Sequence, residues 1–296
     1  GGSSGGTGAA LAAAFAQVGL GSETGVSIRN PTSNNSLVGL APTRGLIPRT
    51  GQTMTSFAQE RCGPMARSVH DVAVVTDVVA GFDAEDLLTI AAPGRTPRAS
   101  YTTFLRKDAL RGARLGVFRD LFRQGPAHAE GVALVEKAIA AMKAAGAVII
   151  EPVSTGLDLF PLLAETRTNY YEAQFSYDLY FRRLGPQAPI RSLDELLAKG
   201  GDLVKPGIVK ASREFNSLMH HADYLARRDT QETLRDAALA LMERYRLDAL
   251  VHPFKSLPPE PHLSEHNREK DNPFSSVTGL PAVLVQIGRA SCRERV

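Results

Sequence analysis

Two glycine-rich turns that each carry serine lie within the first 31 residues, and they constrain this chain most. They read GGSSGG (residues 1–6) and GSETGVSIRNP (residues 21–31). Glycine permits positive φ and close backbone approach, so both segments predict tight bends. A serine between such a bend and the start of a helix lies beside N–H groups that have no helical partner. Because such groups can stabilise a developing negative charge, the pattern favours acyl-transfer chemistry.

The composition excludes several classes of protein. Of the 296 residues, 43% are hydrophobic and 22% are charged, which is typical of a globular chain with a large core. No apolar run reaches the roughly 18 residues of a membrane span. The net charge is only +3 and the basic residues form no block, so nucleic acid is not an expected direct partner. Two cysteines exclude a disulfide scaffold.

Both ends of the chain have unusual sequences. The chain begins with glycine rather than Met, so an N-terminal targeting signal cannot be observed, and we expect a cytoplasmic protein. Residues 287–296 read IGRASCRERV, which is the translation of a DNA string that resembles a common sequencing adapter. We therefore expect residues 1–286 to be one partial domain and residues 287–296 to be a non-native tail; the alternative is a genuine basic tail.

Hydrophobic periodicity and turn residues predict the following elements. Helices are predicted over residues 5–18, 68–80, 127–145, 157–183 and 212–245, and strands over residues 114–118, 147–153 and 248–252. A glycine-rich turn is predicted from Gly19 to Gly25, and irregular structure over residues 43–64, 185–210 and 253–273. Ser68 is a predicted N-cap. The strand–helix–strand order of residues 114–153 predicts a right-handed parallel crossover, and hence an α/β fold.

The two serine turns resemble those of the amidase signature family. Ser3 and Ser27 are 24 positions apart, as in that family. The resemblance continues in VGLAPTRGLIPR (38–49), GPMARSVHDVA (63–73), AGFDAEDLLT (80–89), ARLGVF (113–118), DALVHP (248–253) and NPFSSVTGLPAVLV (272–285). It is strongest in residues 1–89 and weak in residues 155–245. The family fold implies a mixed β-sheet covered by helices on both faces, here incomplete.

The resemblance implies a Ser–cis-Ser–Lys triad and no metal or organic cofactor. Ser27 would be the nucleophile, and Ser3, after a cis peptide bond from Gly2, would pass its proton to a lysine. The N–H groups of Thr24, Gly25, Val26 and Ser27 would form the oxyanion hole. Ser4, Glu23 and Arg29 would support the turn.

Two positions depart from the family pattern. Val26 stands where the family usually has glycine, and a valine with positive φ would be strained, so we expect either a negative φ or a different loop. The first lysine is Lys107, whereas the family's base lies upstream of the first serine turn. An unactivated serine is a weak nucleophile, so we expect these 296 residues alone to be an inactive part of a longer enzyme.

Other interpretations of the same residues remain. GGSSGG could be a flexible linker, or Ser3 could be the nucleophile of a G-x-S-x-G elbow with His252 or His262 as its base, although that elbow needs a preceding strand. GLGSETG (residues 19–25) is a near miss for a dinucleotide motif. His262 and His266 have a spacing that could bind a metal ion, but nearby prolines argue against the helix it requires.

The resemblance implies hydrolysis of a small-molecule carboxamide, with two alternatives. The parent could be the A-type subunit of a glutamine-dependent tRNA amidotransferase, or a non-catalytic homologue. A homodimer is also left open. One aromatic-rich segment favours core packing over a substrate-binding wall; its members are Tyr170, Tyr171, Phe175, Tyr177, Tyr180 and Phe181.

Overall fold

The structure of the chain is a computed structural model that describes residues 2–204, 221–257 and 272–287. In chain order its helices and strands are α1 (Gly5–Ala12), β1 (Val18–Glu23), α2 (Arg29–Asn34), β2 (Val38–Ala41), β3 (Arg61–Ala66), α3 (Val69–Val79), β4 (Arg114–Phe118), α4 (Ala129–Ala144), β5 (Val148–Val153), α5 (Leu159–Glu165), α6 (Asn169–Arg183), α7 (Leu193–Gly200), α8 (His221–Tyr245), β6 (Ala249–Val251), α9 (Phe274–Thr278) and β7 (Ala282–Leu284). Short 3-10 helices occupy Leu87–Ala91, Tyr101–Phe104, Arg119–Leu121, Pro126–His128 and Gly201–Leu203. Within the described ranges, no helix combines the length and apolar character that a membrane span needs. Of the expected tail, only Ile287 is described; His262 and His266 also lie outside the described residues.

The predicted mixed α/β class is confirmed, with the described strands arranged in two sheets. The first sheet is antiparallel in the order β1-β3-β2-β7. The second is parallel in the order β5-β4-β6, with Leu115 opposite both Ile149 and Ala249. The predicted parallel crossover is therefore confirmed, with α4 as its connecting helix.

Helices cover both faces of the parallel sheet because successive side chains of β4 point in opposite directions. Val117 packs with Val135 and Ile139 of α4. Phe118, the next residue, packs on the other side with the larger core cluster, which includes residues of β5, α5, α8 and α9: Val153, Leu159, Leu163, Leu234, Ala238, Leu241, Phe274 and Val277. The late segment that holds α9 is thereby fixed to the rest of the fold.

The antiparallel sheet is covered in the same way. Met65 of β3 packs with Leu11 of α1 and Ile28, while its neighbour Ala66 packs with Val72 of α3. The predicted N-cap of α3 is confirmed, since the Ser68 side chain accepts a hydrogen bond from the Asp71 N–H. Helices α1 and α2 thus lie on the face that carries the two serine turns.

Several predicted elements differ from the structure. The predicted turn from Gly19 to Gly25 is largely strand β1, because pairing with β3 along its whole length overrides the glycine content. Helix α1 ends at Ala12, and Ala14 has a φ of 60°. The predicted helix over residues 157–183 is interrupted at 166–168, where the main chain bonds to Gln59 and Gln231 instead. The predicted loop at 185–210 contains α7.

Replacing the core residue Phe118 tests this packing. Phe118 is fully buried, so Phe118→Ala removes a ring from the core and leaves a cavity, and we expect a loss of about 3–5 kcal/mol in the free energy of unfolding. Phe15 is 86% exposed, and Phe15→Ala is the matched control with little expected effect. Urea unfolding followed by circular dichroism measures both. Equal losses in the two variants would contradict the described core.

Candidate active site

The first serine turn is attached to β1 by Ser4. The Ser4 Oγ accepts a hydrogen bond from the Ser22 N–H at 3.1 Å and donates one to the Ser22 carbonyl at 3.2 Å. Gly21 permits this approach, because a Cβ there would lie 2.9 Å from the Ser4 Oγ. The peptide bond between Gly2 and Ser3 is cis, as the resemblance implies. The Ser4 N–H also donates to the Ser27 carbonyl at 3.3 Å, which joins the two serine turns directly.

Residues 24–28, the part of the second serine turn between β1 and α2, fold around the buried carboxylate of Glu23. That carboxylate accepts hydrogen bonds from the N–H groups of Ile28 at 3.1 Å and Arg29 at 3.0 Å, and it pairs with the Arg29 Nε at 2.9 Å. The Arg29 Nη2 donates to the Gly25 carbonyl at 2.7 Å. One carboxylate and one guanidinium therefore fix both ends of the turn.

A second arginine completes this cluster. The Arg61 Nη2 lies 2.5 Å from the Glu23 Oε1 and 2.8 Å from the Ser275 Oγ, and the Arg29 Nη1 donates to the Asn272 carbonyl at 2.9 Å. Burial raises the pKa of Glu23, but the charges of Arg29 and Arg61 and their hydrogen bonds outweigh it, so the pKa is below its ordinary value. Glu23 is therefore ionised. The hydrogen bonds of Arg29 and Arg61 also link the second serine turn to the segment around α9.

Four consecutive main-chain N–H groups of this turn are not used in hydrogen bonds within the described chain. No described residue accepts a hydrogen bond from the N–H groups of Thr24, Gly25, Val26 or Ser27. Val26 is buried, and it is not among the described non-glycine residues with positive φ, which are Ala14, Ser36 and Arg246. The valine is therefore accommodated with a negative φ, and it does not disturb the cluster of free donors.

A main-chain hydrogen bond between Ser4 and Ser27 joins the two serine turns, but the hydroxyl groups of Ser3 and Ser27 form no hydrogen bond with a described residue. Ser27 is half-buried and Ser3 is exposed, and neither Oγ hydrogen-bonds to a described residue. Ser3 lines an open pocket of about 470 Å³ together with Ser4, Thr7, Leu20, Gly51 and Gln52, and Ser27 does not line it. Among the described lysines, none hydrogen-bonds to Ser3 or Ser27.

Two neighbouring polar residues of the site were missed by the sequence analysis. Glu60 accepts hydrogen bonds from the Thr24 Oγ1 and from the Gln52 Nε2 at 2.8 Å, and the Gln59 Nε2 donates to the Thr24 carbonyl at 3.2 Å. Burial raises the pKa of Glu60 to about 7, against the lowering effect of the Thr24 and Thr55 hydrogen bonds and of Arg49. These residues lie in the segment that was expected to be irregular, and no periodicity marked them.

The structure gives the alternative interpretations little support. The half-buried His252 ring lies edge-on to Phe118, and its Nδ1 lies 3.0 Å from the Pro253 carbonyl. The desolvation of this ring lowers its pKa to about 4. The ring makes no contact with Ser3 that would serve an elbow nucleophile. The near-miss dinucleotide motif lies largely on β1 itself, whereas such a motif should follow a strand. Among the described residues, no group of three or more metal-ligating side chains is arranged to hold an ion.

The aromatic-rich helix α6 packs mainly inward. Tyr171 is buried with its ring 6.2 Å from that of Tyr224 on α8, and Phe181 packs against Tyr177 and Tyr180. Phe175, Tyr177 and Tyr180 are half-buried, and Tyr170 is 43% exposed. The core-packing interpretation therefore holds for the buried members of this set.

Comparison with known proteins places this chain in a family. The model of the Amidase family matches residues 1–288, so the chain belongs to the amidase family. It is 31% identical to the A-type subunit of the glutamyl-tRNA(Gln) amidotransferase of Rippkaea orientalis, over 97% of this chain and 61% of that protein. It is 30% identical to a protein named "Probable amidase" in Arabidopsis thaliana, over 84% of this chain and 49% of that protein.

Solved structures agree with this assignment. The native peptide amidase of Stenotrophomonas maltophilia is 30% identical and superposes with a TM-score of 0.77, over 98% of this chain and 59% of that chain. This confirms the resemblance and the fold that the serine turns indicated. The chain spans between 49% and 61% of the length of these relatives.

Removing the charge of Glu23 should destabilise the folded chain strongly. Glu23→Gln leaves Arg29 and Arg61 buried without their carboxylate, and we expect a loss of about 3–5 kcal/mol in the free energy of unfolding. Glu232→Gln, at a half-exposed i,i+4 pair with Arg228, is the control and should cost less than about 1 kcal/mol. Urea unfolding measures both, and a loss in Glu23→Gln no larger than the control would show that the cluster does not hold the turn.

Glu60 should make stability fall as the pH rises from about 4.5 to about 7. Its pKa is raised in the folded chain, so over that interval the folded state holds the proton more firmly than the unfolded state. The contribution is up to about 3 kcal/mol, and it should be absent from Glu60→Gln. Unfolding of both proteins at about pH 5 and about pH 7.5 provides the test. An unchanged pH dependence in the variant would mean that Glu60 titrates normally.

Proposed function

We propose that this chain belongs to an enzyme that hydrolyses a carboxamide C–N bond through an acyl-enzyme on Ser27. The observation that carries the proposal is the 24–28 turn, where four consecutive N–H groups lack an acceptor among the described residues, beside a half-buried serine. Donors fixed in advance around a developing oxyanion are worth about 2.7–4 kcal/mol each in acyl transfer. The Glu23–Arg29–Arg61 cluster keeps these donors in place.

The proposed reaction has two stages. The Ser27 Oγ attacks the amide carbonyl while its proton passes through the Ser3 Oγ to a base, and the negative charge on oxygen is stabilised by the N–H groups of residues 24–27. The C–N bond then breaks, the leaving amine takes a proton from the base, and Ser27 keeps the acyl group as an ester. Water attacks this ester by the same route, which releases the acid and restores the serine.

The base is proposed to be a lysine outside these 296 residues. No described lysine hydrogen-bonds to either serine: Lys107, Lys137, Lys143 and Lys199 are exposed, and the half-buried Lys255 bonds to neither of them. The relatives are longer than this chain, which leaves room for such a residue. Without it, the oxyanion donors alone would support only slow turnover. No metal or organic cofactor has a part in this scheme.

A second candidate function is that of an amidotransferase component. Relatives named as the A-type subunit of glutamyl-tRNA(Gln) amidotransferase match nearly the whole chain, and the same Ser27 chemistry could release ammonia for a partner. We favour a stand-alone amidase acting on a small-molecule amide because of Val26 and the divergent region 155–245. A partner-subunit gene beside the full-length gene would favour the amidotransferase. A full-length gene without a lysine before Ser3 would favour a non-catalytic homologue.

The nucleophile can be identified by covalent labelling. We expect a fluorophosphonate to label Ser27 in the full-length protein, because Ser27 belongs to the turn whose N–H groups are free. Peptide mapping by mass spectrometry locates the label, and Ser27→Ala should abolish it. Ser100→Ala is the control, since Ser100 is an exposed serine that belongs to neither serine turn. Label on Ser3 instead would overturn the assignment and favour the elbow interpretation.

The need for an external base can be tested by comparing two proteins. We expect residues 1–296 alone to release no measurable ammonia from simple aryl and aliphatic amides, whereas the full-length protein turns them over. Loss of one triad member in serine hydrolases costs several orders of magnitude in rate. Robust turnover by residues 1–296 that Ser27→Ala removes would mean that a base exists within this chain.

A further inference from the structure

Arg167 lies against the serine turn from a different part of the chain. It follows α5 and precedes α6, and its guanidinium faces Gly25: a Cβ on Gly25 would lie 3.5 Å from the Arg167 Nη2 and 3.7 Å from its Cζ. The guanidinium therefore lies about one methyl group away from Gly25, which is one of the four residues whose N–H groups are free.

The backbone on both sides of Arg167 is fixed by buried side chains. The Thr166 carbonyl accepts a hydrogen bond from the Gln231 Nε2 at 2.6 Å, and the Thr168 N–H donates to the Gln59 Oε1 at 2.7 Å. All four of these residues are 0–1% exposed. Gln59 also donates to the Thr24 carbonyl at 3.2 Å. The same side chain therefore fixes the serine turn and the main chain next to Arg167 relative to each other.

The guanidinium of Arg167 is not neutralised within the described chain. Arg29 and Arg61 share the carboxylate of Glu23, but Arg167 makes no hydrogen bond or ion pair with any described residue. The half-buried Arg167 therefore adds a further positive charge beside a cluster that already has two guanidinium groups for one carboxylate. A guanidinium offers five N–H donors whose geometry matches a carboxylate.

We propose that Arg167 is a specificity-determining residue that binds a carboxylate of the substrate. The inference rests on the proposed function, and it narrows the substrate class to amides that carry a second, anionic carboxylate group, such as the monoamide of a dicarboxylic acid. The scissile carbonyl would lie at the N–H groups of the 24–27 segment while the distal carboxylate pairs with Arg167. A neutral amide would leave the guanidinium without a partner.

The test compares isosteric substrates in the full-length protein. Malonamate, succinamate and glutaramate are each paired with the corresponding neutral diamide, and ammonia release gives kcat and KM. For the acid of best-fitting length, Arg167→Gln should lower kcat/KM by about 10- to 100-fold, the range for a hydrogen bond to a charged group, and should leave its diamide within about 2-fold. Arg167→Lys should restore part of the loss, and the exposed Arg182→Gln on α6 is the control with no expected change.

A binding measurement keeps the inference separate from the proposed function. Calorimetric titration of the same acids into the Ser27→Ala protein needs no turnover, and binding should weaken in Ser27→Ala/Arg167→Gln by the same factor as kcat/KM. Equal losses for acid and diamide, or no loss of acid binding, would overturn the role of Arg167. Turnover that survives Ser27→Ala would instead overturn the acyl-enzyme, while the binding result would still decide the role of Arg167.

Discussion

The buried carboxylate of Glu23 is the interaction on which the rest of the site depends. It accepts hydrogen bonds from two main-chain N–H groups at the start of α2 and pairs with two guanidinium groups. Glu23, Arg29 and Arg61 are all buried. A buried charge is costly unless it is paired and hydrogen-bonded, and both oxygens of Glu23 accept hydrogen bonds, so the turn has little freedom to rearrange. That rigidity allows four consecutive main-chain donors to stay without an acceptor in the described chain.

The same cluster joins segments that are far apart along the chain. Arg29 and Arg61 donate to Asn272, Ser275 and Leu280, which flank or belong to α9. Helix α9 in turn packs into the core of the parallel sheet through Phe274 and Val277. The two sheets are therefore coupled at the serine turn, because the charged groups of one are satisfied by carbonyl and hydroxyl groups held by the other.

The electrostatic character of the site follows from this arrangement. Two guanidinium groups for one carboxylate already favour negative charge near the turn, and Arg167 adds to this. Glu60 could oppose the effect, but burial raises its pKa to about 7, so its charge is partly suppressed near neutral pH. This positive charge would favour the oxyanion and the anionic substrate group that we propose.

The sequence by itself determined the chemistry-bearing turn and the local elements around it. Short-range patterns in the sequence were enough to predict the N-cap at Ser68, the parallel crossover at residues 114–153 and hence the α/β class. The spacing of Ser3 and Ser27 is likewise visible in the sequence itself. Only the tertiary structure decided that glycine-rich residues 18–23 form a strand, since the ladder with β3 comes from a distant segment. It also decided that Gln59, Glu60 and Arg167 belong to the site. Their contacts with Thr24 and Gly25 span more than 30 residues, and burial and charge pairing at that range have no local signature.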